Sequence, residues 1–205
     1  MINVVSIVEG DGEVAALPVL LRRINDWLRP NTQVNFGRPI RVRRDQFLNR
    51  EAIFTKQLKL AAALCPEPGW ILILLDADDD CPIELGATLR AKVNTVLPGR
   101  AVSIVLANRE YEAWFLAAAA SLDGRRGFVR PAQLPDAEQI RAAKQWLSRQ
   151  MPNRAYHEVL DQPALSAVMD LQQAHDHSRS FRKLCGDWTR LMNLVAPVND
   201  YIDYD

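Results

Sequence analysis

The sequence predicts an α/β fold: a mostly parallel sheet flanked by helices, with a helical extension at the C-terminal end. Three observations carry that expectation. Short apolar, β-prone runs alternate with amphipathic stretches in the order β-α-β-α-β-α-β-α over the first 120 residues. Two of these runs, 70–75 and 101–107, are apolar without alternation, as strands buried on both faces are. After Ser121 helical patterns take over. The expected division is an α/β core over 1–120 and a helical extension over 121–205 packed on it, rather than two independent domains.

Residues 3–8 read as the opening strand. Residues 13–28 place Ala16, Leu17, Leu20, Leu21, Ile24, Trp27 and Leu28 on one helical stripe, in which Pro18 fits only near the first turn or at a kink. Residues 33–36 and 40–42 are short β-rich pieces around Gly37-Arg38-Pro39. A helix over 51–64 is closed by Pro66, Pro68 and Gly69, and the central strand 70–75 follows. Pro82 suits the first turn of a helix running to Val96, before Pro98 and Gly99. Strand 101–107 and helix 111–120 complete the core. A loop over 123–135, containing Gly, Arg and Pro, leads to helices over 137–150, 154–160, 165–174 and 180–193, and to a short strand-like end at 201–204.

Composition, with 48% hydrophobic and 24% charged residues, is that of a folded domain. No apolar run approaches the roughly 20 residues of a membrane span. The start, Met1-Ile2-Asn3-Val4-Val5, has no basic segment ahead of an apolar one and reads as a strand rather than an export signal. Cys65, Cys81 and Cys185 are widely spaced and form no Cys-x-x-Cys, which argues against a disulfide framework or structural zinc and fits a reducing cytoplasm. Net charge is zero, whereas a general polyanion binder is usually basic. Acidic metal ligands would offset a basic face, and basic residues do bunch, as at Arg179, Arg182, Lys183 and Arg190; solvated surface accounts for each such bunch taken singly.

Chemistry is concentrated in two acidic signatures. Glu9-Gly10-Asp11-Gly12-Glu13 and Asp76-Ala77-Asp78-Asp79-Asp80 each stand where a strand-like run stops and a helical pattern begins. Ligands of open α/β sheets bind outside the carboxyl ends of the strands, so Glu9, Asp76 and Asp78 are expected to meet. Asp76 and Asp78 project to the same side if the strand stays extended, and hard divalent cations prefer such oxygen ligands. Capping of the helix at Pro82 explains Asp80 but neither Asp76 nor Glu9. Gly10 and Gly12 permit a sharp turn. The turn lacks the Gly-Lys-Ser/Thr ending of a P-loop and has too few glycines for a dinucleotide fingerprint. Two readings stand for Glu13: a ligand, or a charge favoured at a helix N-terminus. His175 and His177 read as a helix end, Ser166, Ser178 and Ser180 lack a nucleophile context, and the five tryptophans fall in apolar stripes.

The Glu-Gly-x-x-Glu turn of Glu9 to Glu13 and the Asp-x-Asp of Asp76 and Asp78 resemble the Toprim domain, most of all its overcoming-lysogenization-defect nuclease branch. The whole chain, including Glu112-Ala113-Trp114-Phe115-Leu116 and Ser178 to Leu184, also resembles an uncharacterised bacterial family of Toprim-like character. The resemblance implies one or two magnesium or manganese ions held by Glu9, Glu13, Asp76, Asp78 and an acid after the next strand, Glu112 or Glu110. It further implies a catalytic role for Glu9 and for a lysine beyond the last acidic motif, for which Lys183 is the candidate; Arg109 and Arg182 are candidates for binding phosphate. The implied activity is metal-dependent cleavage of phosphodiesters in DNA or RNA, by a defence or repair effector working with an ATPase partner or as a homodimer. Two alternatives stand beside it: a binding subunit without turnover, and a phosphatase using Asp76 as nucleophile. In the latter, Asp80 stands where such phosphatases carry Thr or Val.

Overall fold

The apolar runs do become strands, and all of them run parallel. The structure, a computed structural model, describes residues 1–29 and 31–195. Strand β1 (Ile2–Val8) is flanked on one side by β2 (Val34–Phe36) and β3 (Ile40–Arg41), which follow each other along the same edge. On its other side lie β4 (Gly69–Asp76) and then β5 (Val102–Ala107), giving the order β2-β1-β4-β5.

Alternation along each strand divides the core into two layers. Val4, Val8, Trp70, Leu72 and Leu74 pack under α1 (Asp11–Leu28). Val5, Ile7, Ile71, Ile73 and Leu75 pack against α2 (Arg44–Asn49), α3 (Glu51–Leu64) and α4 (Pro82–Val96). Because both faces are covered, the central strands are apolar at every position, which is why their sequence does not alternate. The chain leaves β1 for β2 over one face and returns to β4 over the other. The point of reversal lies between β1 and β4, and the crevice outside their carboxyl ends is the natural ligand position of such a sheet.

The extension completes the α1 face. It contains α6 (Ala143–Arg149), α7 (Glu158–Ser166), α8 (Leu171–His177) and α9 (Arg179–Val195), which follow the last helix of the core, α5 (Ala113–Ala117). Leu147, Leu165, Phe181, Leu184 and Trp188 share one continuous core with the strand residues. Trp188 stands edge-on to Trp70 at 5.2 Å and stacks on Phe36 at 6.0 Å. Burial of each such side chain contributes about 1.5–3 kcal/mol.

The helices of the extension depart from the periodicity because polar side chains take over the backbone. Residues 137–142 are not helical: Asp136 accepts the Glu138 amide, and the Glu138 carboxylate is drawn to Asn108 and the Arg179 amide. Arg154 lies outside α7 with its guanidinium on the buried Asp161, which also accepts the His157 amide. Asp170 accepts the Gln173 amide and so starts α8 where a continuous helix over 165–174 was expected. Helix α2, built around buried Phe47, was not expected from the pattern. The strand-like end at 201–204 lies outside the described residues. No helix among the described residues is long and apolar enough to cross a membrane.

Candidate functional site

Each acidic signature begins where a strand of the switch point ends. Glu9 follows β1 directly, and Glu13 lies in the first turn of α1. One oxygen of Glu13, Oε2, accepts the amides of Glu9 and Gly10, both at 3.0 Å. Both sequence-level readings of Glu13 therefore meet in one side chain: that oxygen fastens the helix start, while the carboxylate also faces the other acids. Asp76, the last residue of β4, is 8% exposed, and its Oδ1 accepts the Tyr111 amide at 2.8 Å. Glu112 is fully buried; its Oε1 accepts the Tyr156 hydroxyl at 2.9 Å and the Gln162 amide at 2.8 Å. Glu9 Oε2 and Glu112 Oε2 are buried with no hydrogen-bond partner.

The electrostatics show that these groups act on one another's charge. Burial, then the charges of Glu13 and Glu112, push the Asp76 carboxyl well above the usual range. Burial also raises Glu13, opposed by the two amides it accepts, and it raises Glu9, where Asp78 adds to the effect and Arg44 opposes it. Glu112 is pushed up to about 7 by burial, against the pull of Lys144. Lys144, on α6, holds the centre: burial disfavours its charge, but Glu112, Glu158 and Asp76 outweigh that and keep it firmly protonated. Its Nζ lies 3.0 Å from Glu158. Lys144 and Glu112 move in the same direction because Glu112 is sealed from water, whereas half-buried Lys144 is ringed by acids.

Gly10 and Gly12 have a different purpose from a sharp turn. Gly10 has φ −93° and ψ 157°, which any residue adopts. A Cβ on Gly10 would lie 2.7 Å from Glu158 Oε1; on Gly12 it would lie 2.7 Å from Glu158 Cγ and collide with Gln162. The two glycines let α7 press onto the start of α1, which brings Glu158 and Gln162 to the acids.

Other expectations are corrected by the geometry. Strand β4 ends at Asp76, and Asp78 takes a left-handed φ of 51°, so the alternation stops and the two aspartates do not project together. Asp76 is buried; Asp78 is exposed, 3.5 Å from Arg44, although its charge still reaches Glu9. Asp80 does not cap α4, whose N-cap is Cys81; it pairs with Arg44, which also donates to the carbonyls of Asp76 and Ala77. Of the two later acids, Glu112 faces the cluster, while Glu110 accepts the Lys144 amide at 3.0 Å. Arg109, at φ 66°, is 3.0 Å from Asp79. Arg182 donates to the carbonyls of His175 and Asp176 and so closes the end of α8. Lys183 pairs with Asp187 at 2.8 Å and lines a groove beside β5 rather than the acid cluster. The cation that acts on Asp76 and Glu112 is Lys144, which also lies beyond the last acidic motif; its spacing within a helical stripe gave no other signal.

No group of three or more His, Cys, Asp or Glu side chains that could hold a metal ion is assembled among the described residues. No curated protein and no solved structure matches the chain. A family model described as a domain of unknown function, DUF4276, matches residues 8–187, from the last residue of β1 into α9, and the chain belongs to that family.

Proposed function

We propose that the strand-end acids form a metal-dependent site that hydrolyses phosphodiesters in DNA or RNA. One observation carries this: Glu9, Glu13, Asp76 and Glu112 gather at the switch point with Glu9 Oε2 and Glu112 Oε2 buried and unpartnered. Carboxylate oxygens withdrawn from water without a donor are costly, and a hard cation would satisfy them. The donor set is all oxygen, as magnesium or manganese requires. Glu9, Asp76 and Glu112 do not stand as a ready metal group among the described residues, so an ion would have to draw their carboxylates together, with Asp78 and the remaining oxygen of Glu13 adjoining. When bound, it would acidify a water and stabilise the leaving oxygen. The chain's own residues do the rest. Tyr156 and Gln162 hold Glu112 by one oxygen and leave the other free. Lys144 supplies positive charge where a phosphate would gather negative charge, the role expected of Lys183.

The test is cleavage of supercoiled plasmid and of RNA by purified protein with magnesium or manganese, with Asp76→Asn alongside. The substitution preserves an oxygen for the Tyr111 amide. A loss of at least about 10–100-fold is expected, the range seen even for groups one step removed from a metal. Equal cleavage by the variant would sink the proposal. A second reading, a binding subunit without turnover that works with an ATPase partner, is favoured by Lys144, whose ammonium already offsets the acids. A missing manganese heat signal in titration calorimetry, with a stable complex, would select it.

A further inference from the structure

The outer edge of the sheet carries a site independent of the acids. In the β4–β5 ladder, Ile71 N–H donates to Ala101 and Ala77 N–H to Ala107, so the odd-numbered residues of β5 face β4. The backbone groups of Val102, Ile104 and Leu106 point away from the sheet. Exposure follows the same alternation: 3% at Val102, 0% at Ser103, 3% at Ile104, 0% at Val105, 4% at Leu106 and 0% at Ala107. Arg90 covers the Val102 carbonyl at 2.7 Å; Ile104 and Leu106 have no such cover among the described residues. This edge forms the floor of a groove of about 780 Å³.

The two walls differ. On the α4 side stand Pro82, Ile83 (82% exposed) and Gly86, where even a Cβ would be 3.9 Å from Leu106. On the α9 side stand Arg179 and Lys183, with Arg190 further along the helix. Asp187 is shared by Lys183, Arg190 and the Ser103 hydroxyl, and Arg179 has no ion pair among the described residues. The acids at the mouth, Asp136 and Glu138, are engaged by backbone amides and Asn108.

We infer that this groove receives an extended segment of a partner protein as an added parallel or antiparallel strand, with apolar side chains toward α4 and acidic ones toward α9. A strand supplies both donors and acceptors to Ile104 and Leu106, and its two-residue period sends alternate side chains to the two walls. A nucleic-acid strand offers its phosphates as acceptors only, and among the described residues the groove has no aromatic side chain on which bases could stack. A second copy pairing β5 with β5 would set the Arg179, Lys183 and Arg190 stripe against itself.

The experiment measures fluorescence anisotropy of a short peptide alternating Val and Glu, a Val–Lys counterpart and single-stranded oligo-dT, together with amide exchange by NMR. The Val–Glu peptide is expected to bind with Kd below about 1 mM and to slow exchange at Ile104 and Leu106. The Val–Lys peptide is expected to bind more weakly by about tenfold, and Arg179→Gln to weaken the Val–Glu peptide by about 2–5-fold. Gly86→Phe, whose Cβ would meet Leu106 at 3.9 Å, places a ring at the groove wall and is expected to abolish binding. Absence of peptide binding, unchanged exchange at those two amides, tighter binding of oligo-dT, or dimerisation through β5 in sedimentation would each overturn the assignment.

Discussion

Glu112→Gln isolates the cost of holding the acid cluster together. Glu112 is fully buried and its carboxyl is raised from 4.5 to about 7, with burial outweighing Lys144. A carboxyl whose pKa is raised by folding binds its proton more tightly in the native state. Stability therefore falls as pH rises from the unfolded value near 4.5 through the folded value near 7. At 1.36 kcal/mol for each pH unit, the loss is on the order of 3 kcal/mol. Glutamine keeps an oxygen for Tyr156 and Gln162 and removes the charge, while Lys144 retains Glu158. Urea unfolding of both proteins from about pH 4 to about pH 8 measures the difference. The variant should gain on the wild type by on the order of 3 kcal/mol across that range. A constant difference would mean that Glu112 ionises like an exposed glutamate. A difference of opposite slope would mean that Lys144 stabilises its charge more than burial opposes it.

Three further substitutions probe the packing of the glycines and the charge of Lys144. Gly12→Ala should destabilise by about 1–3 kcal/mol in thermal unfolding, because its methyl meets Glu158 and Gln162, whereas Gly186→Ala in α9, with nothing within 4 Å, should stabilise by up to about 1 kcal/mol. Lys144→Met keeps the aliphatic stem but removes the ammonium. It should raise the Glu112 carboxyl above about 7, read by carboxyl NMR titration, and lower cleavage of DNA or RNA more through kcat than through KM; an unmoved Glu112 would remove Lys144 from the site.

The strands were legible because central parallel strands are apolar throughout, and α3 and α4 because Pro and Gly punctuate them. Glu9 and Asp76 were legible because a carboxylate at the end of such a run has no packing reason to be there. Asp78 was misplaced because a left-handed residue ends strand alternation, and nothing in Asp-Ala-Asp-Asp-Asp announces it. Lys144, Tyr156, Glu158 and Gln162 were not legible, since they reach the acids through the docking of α6 and α7, and periodicity does not say where a helix docks. The glycines were noticed for the wrong reason: their small size, and not their conformational freedom, admits α7. Lys183 and Arg182 fell on a helical stripe whose outer side faces other partners.

The most direct measurement is the anomalous scattering of manganese in crystals of the protein soaked with the ion, with Glu9→Gln crystals as the control. A peak is predicted in the crevice between the ends of β1 and β4, touching Glu9 and Asp76 and weakened in the variant. An empty crevice at a manganese concentration that supports cleavage, or a peak only elsewhere on the molecule, would contradict a metal-dependent site there.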